Sequence, residues 1–156
     1  MLFKNLAYTA AGFTAGVAMT IATLGSSVSP VGADQAENAY MVAQKAQVSA
    51  TTYQLDMVGL HKIWDDSKVG SITPGALGTV RRSRIAVQAT DWPHALKPMA
   101  MEQVEAMKML EEAIRTEDAA KVVEPSEKAH EHGHDLSAAV YTWLDTGKAP
   151  EAGQGH

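Results

Sequence analysis

The stretch A-Y-M-V-A-Q-K-A-Q-V-S-A-T-T-Y-Q-L-D-M-V-G-L-H-K-I-W, residues 39–64, decides the fold, because its apolar residues recur at helical spacing and do not alternate as a strand would. At about 100° per residue, Ala39, Ala43, Ala46, Ala50, Tyr53, Met57, Leu60 and Trp64 fall on one side. They are read as the core face of one long helix from about Gln35 to Asp66. Met41, Val48 and Leu55 recur at seven-residue spacing on roughly the opposite side. A helix apolar on two faces needs a second packing surface, so it is central to its bundle, or the three residues are simply exposed, or they offer an interface to a homodimer or a membrane complex.

The rest of the chain repeats the helical pattern with clear punctuation. Thr73-Pro74 opens a second segment that runs to about Thr90, and Asp91-Trp92-Pro93 opens a third that runs to about Arg115. Asp118 can cap a fourth, which ends at Gly147. Pro125 lies early in that fourth segment and either kinks it or marks its true start. Core faces follow from the spacing: Leu96, Ala100, Val104, Met107, Leu110 and Ile114 on the third helix, and Ala129, Gly133, Leu136, Val140 and Trp143 on the fourth. Short connections make successive helices antiparallel neighbours, so the expected fold is an all-α, up-down-up-down four-helix bundle over residues 34–145, with a flexible tail over 146–156. In length and helical pattern the chain resembles, in general outline only, the periplasmic four-helix cytochromes. Its ligand positions do not match theirs, and no function is carried over.

Residues 1–33 carry Lys4, an apolar run from Leu6 to Leu24 and a small-residue ending at Val31-Gly32-Ala33. This is the pattern of a signal peptide cleaved after Ala33, and the rival reading is a retained transmembrane anchor packed through Gly12 and Gly16. The expected location is periplasmic or secreted, with anchoring to the inner membrane under the second reading. Beyond residue 33 there are 12 Lys and Arg against 18 Asp and Glu, a net charge of −6 with His neutral, which argues against nucleic acid as a partner. The chain has no cysteine, which excludes disulfides, thiolate metal sites and covalently attached haem.

Chemistry concentrates in E-K-A-H-E-H-G-H-D, residues 127–135. On a helix, His130 and His134 share one side as an H-x-x-x-H pair, the spacing by which one helix offers two imidazole nitrogens to a single ion. Glu127 and Glu131 lie near enough to add carboxylate oxygens, while His132 points away toward the flank of the apolar stripe. The expected cofactor is a transition-metal ion that accepts imidazole: Cu, Zn, Ni or Fe. Met101 and Glu102 of the third helix are additional candidates by level. His61 and Asp65, one turn apart, are read either as a boundary hydrogen-bonded pair or as a second small site, because aligned helix ends put His61 in a different layer from the pair. Met41 and His134 also fall in different layers, which disfavours non-covalent haem. No nucleophile, phosphate loop or distinctive carboxylate pair is present, so the chain is read as a binding protein, not an enzyme, or as an accessory subunit held to a membrane complex.

Overall fold

The computed structural model describes residues 32–55 and 57–148. Residues 1–31 and 149–156, on which most of the signal, anchor and flexible-tail expectations bear, lie outside the described residues. Among the described residues there is no strand. The helices are α1 (Ala33–Gln54), α2 (Met57–Lys68), α3 (Ala76–Ala89), α4 (Lys97–Arg115) and α5 (Ala119–Thr146). No helix among the described residues is long and apolar enough to cross a membrane.

Helix α2 packs on α3, α3 on α4, α4 on α5 and α5 on α2, which closes a ring, while α1 rests on α3 and α5. Cross-helix bonds give the directions. Lys45 Nζ donates to the Leu144 carbonyl and Ser67 pairs with Ser126, so α1 and α2 run antiparallel to α5. Gln44 reaches the Asp91 carbonyl at one end and the Thr73 hydroxyl reaches Asp66 at the other, so they run antiparallel to α3 as well. The expected stripes of α4 and α5 are all buried. Asp118 accepts from the Ala120 amide as the cap of α5, and Gly147, with φ 72°, adopts the left-handed conformation that ends it. Pro125 lies inside α5 and does not mark its start.

The first segment departs from expectation twice. It is divided into α1, which ends at Gln54, and α2, which begins at Met57, and α1 is turned about its axis: Ala39, Ala43, Ala46, Ala50 and Tyr53 face solvent, with Tyr53 91% exposed. The buried side of α1 is Gln44, Val48, Thr51 and Leu55. Val48 and Leu55, read as partner contacts, are therefore core residues of this chain, and only Met41 of that trio is exposed. The physical reason is size. An alanine removes little apolar surface from water, whereas Val and Leu gain about 0.8 kcal/mol for each further buried CH2. Gln44 and Thr51 tolerate burial because the Asp91 carbonyl, the Tyr40 hydroxyl and the Thr90 hydroxyl satisfy them.

Helix starts also shift slightly. The third and fourth helices begin at Ala76 and Lys97, after turns that use Thr73 and Pro93. Glu111, buried on α4, is held by Arg84 and Arg115, so Arg84 is committed to an internal ion pair.

Candidate metal centre

His61 of α2 and His130 and His134 of α5 meet at the α2–α5 seam. His61 Nδ1 lies 2.9 Å from His130 Nε2, and His134 Nε2 lies 3.1 Å from the same atom. One nitrogen from each ring lies within 4.8 Å of the other two. A tetrahedral ion bound at about 2.0–2.1 Å holds its nitrogens about 3.3–3.5 Å apart, so the two short separations are close to those of a ligand set. Among the described residues no other group of three His, Asp or Glu side chains comes together in this way.

The expectation that His61 occupies a different layer is corrected by the register of α5. Starting α5 level with Asp66 would set His61 beside Val123. The observed pairs, His61 with His130 and Ser67 with Ser126, shift α5 by seven to nine residues, or about 10–14 Å at 1.5 Å per residue. The first two turns of α5 run on past the end of α2. Buried Val122 packs them into the core, so the overhang is stabilised rather than frayed.

The surroundings tune the cluster. His61 Nε2 lies 3.2 Å from Asp65 Oδ2, and Asp65 Oδ1 in turn takes the Lys68 ammonium at 2.7 Å. A proton held on Nε2 by the carboxylate leaves the lone pair of Nδ1 aimed at the other two rings, the arrangement in which a carboxylate fixes the tautomer of a metal-binding histidine. The Lys68 ammonium keeps the Asp65 carboxyl below the ordinary carboxylate range, so it stays ionised for that task. Trp64 stacks on His130 with centroids 4.7 Å apart, and the Lys68 ammonium lies over the same Trp64 ring system, 3.6 Å from a ring centroid. Burial, and then the neighbouring His134 and His61, lower the pKa of the half-buried His130. The cluster therefore favours neutral imidazole at His130, the form that binds a metal.

The other candidates fall elsewhere. Glu127 and Glu131 are exposed, and neither belongs to the three-residue cluster. His132 faces α4, 4.0 Å from Glu102, and shares a separate surface hollow with Met101 and Glu102. His61 and Asp65 stand 3.2 Å apart, and His61 joins the same cluster as the H-x-x-x-H pair and not a second small site. Two i, i+4 patterns, H-x-x-x-D and H-x-x-x-H, were the available signal; joining them needs the interhelical register, which neither spacing contains.

The fold and site together define an all-helical protein with a three-histidine cluster on two antiparallel helices. No family model, curated protein or solved structure matches the chain.

Proposed function

We propose that this protein binds one transition-metal ion through His61 Nδ1, His130 Nε2 and His134 Nε2, and handles that metal as an exported, periplasmic binding protein. The observation that carries the reading is the convergence of three ring nitrogens from two helices, with Asp65 behind His61 in the orienting position. Two of the three histidines, His61 and His134, are exposed, as suits a site that takes up and releases its ion more than one that locks it in place. The export setting rests on the leader sequence.

Calorimetric titration of the tag-free protein with Cu(II), Ni(II) and Zn(II) tests the reading. One-to-one binding at micromolar or tighter affinity, abolished in His130→Ala and in His61→Ala, is expected. Binding indifferent to both variants would sink it.

A second reading, an accessory subunit or homodimer, is favoured by the charge-free outer face of α1, where Val42 and Tyr53 are exposed beside the alanine stripe. Sedimentation of the wild type and of Ala46→Glu tests it; a dimer that the charge dissociates is the supporting result.

A further inference from the structure

Three imidazoles leave the identity of the metal open, and the walls of the site narrow it. A groove runs along the cluster on the α2 side, where His61 and His134 form part of its lining. Each other side chain lining it can be followed to its partner. Asp65 is held between Lys68 and His61. Lys62 and Asp66 pair with each other, and Asp66 also accepts from Thr73. Val58 has no donor atom. Met57 remains, half-buried, one turn before His61 on α2, and it lines both this groove and the adjoining hollow that His134 also borders.

The position of Met57 is built into the opposing helix. Its side chain lies over Gly133, the residue before His134: a Cβ added at Gly133 would stand 2.6 Å from Met57 Sδ and 3.1 Å from its Cε. The absence of a side chain at 133 is what lets the thioether lie against α5 next to the ligand pair. Methionine has three rotatable bonds, so its sulfur can swing along the groove without moving the backbone.

We propose that Met57 supplies the fourth, soft ligand and makes the site selective for copper, Cu(I) in particular. This rests on the three-histidine reading. Thioether sulfur adds affinity for Cu(I) and little for Zn(II), and the nearest carboxylate is tied to Lys68 and His61, which withholds the oxygen ligand that a harder ion would use.

The test is anaerobic competition for Cu(I) against a chromophoric chelator, with Zn(II) competition in parallel, on the wild-type chain and on Met57→Leu. The expected result is a loss of about tenfold or more in Cu(I) affinity with Zn(II) affinity within about twofold, the scale on which supporting groups act at metal sites. Copper-edge X-ray absorption of the Cu(I)-loaded wild type needs no variant and should show one sulfur scatterer beside nitrogen. A first shell of nitrogen alone, or a Met57→Leu variant that loses both metals equally or neither, overturns the assignment while leaving the three-histidine site standing. A wild type that binds neither metal overturns both.

Discussion

Helix α1 turns Ala39, Ala43, Ala46, Ala50 and Tyr53 to solvent, whereas α2, two residues further on, turns Leu60, Ile63 and Ser67 into the core and His61 toward α5. Both halves belong to one continuous apolar rhythm in the sequence. They differ in what the rhythm is made of: four alanines and the hydroxyl-bearing Tyr53 before the break, the larger aliphatic Leu60 and Ile63 after it. Periodicity reports where a stripe lies, while the free energy that drives it inward scales with the area it removes from water. Where a second stripe on the same helix offers Val48 and Leu55, the alanines lose.

The sharpest way to break this comparison is to truncate the α2 core. Leu60→Ala should cost about 2–5 kcal/mol of stability, measured as a lowered urea midpoint at unchanged slope, because its side chain is fully enclosed. A cost below about 1 kcal/mol would mean that α2 is no better packed than α1. Next comes Gly133→Ala, where the added methyl meets the Met57 thioether. The thioether can swing aside, and Ala gains about 0.5–1 kcal/mol over Gly in a helix interior, so a net change within about 1 kcal/mol is expected; a larger loss would show that Met57 is held fixed over Gly133.

Asp65→Asn probes the proposed site, to which α2 contributes and α1 does not. Metal affinity should fall about 10–100-fold, since the amide no longer holds the proton on His61 Nε2 as an ion does, and the change should be invisible in the exchange protection of α1. Equal affinities would place Asp65 outside the site.

Acidity gives a smaller effect with a defined sign. The pKa of His130 is lowered in the folded protein, so the unfolded chain binds that proton more readily. Its contribution is neutral above the unfolded value of about 6.5, and stability is lost as pH falls from there toward the folded value. His130→Gln should flatten the dependence of the urea midpoint on pH in that window, and a slope unchanged by the variant would rule His130 out as its source. Smallest of all, Ala43→Gln on the outer face of α1 should shift stability by no more than about 0.5 kcal/mol. A larger loss would show that the face is covered in solution.

Much of the architecture was legible in the residues alone. The stripes of α4 and α5, the Asp118 cap and the Gly147 stop follow from local spacing and local backbone chemistry, and each is where it was expected. The H-x-x-x-H pair and the His61–Asp65 pair were legible for the same reason, since residues four apart on a helix face one another whatever the helix packs against. These are statements about one helix at a time.

What only the tertiary structure decided concerns pairs of helices. The rotation of α1 depends on which of two weakly apolar faces the ring of helices accepts, and the buried polar pair Gln44 and Thr51 finds its partners 39 to 47 residues away. The register of α5 against α2, seven to nine residues from an end-to-end alignment, depends on Val122 and Ser126 finding buried places beyond and beside the end of α2. That register brings His61 from a separate layer to 2.9 Å from His130. Sequence determines the face on which each histidine stands, because the helical repeat is a local property of the backbone. It leaves the level at which two helices stop sliding to side-chain packing, and the three-histidine cluster exists only at that level.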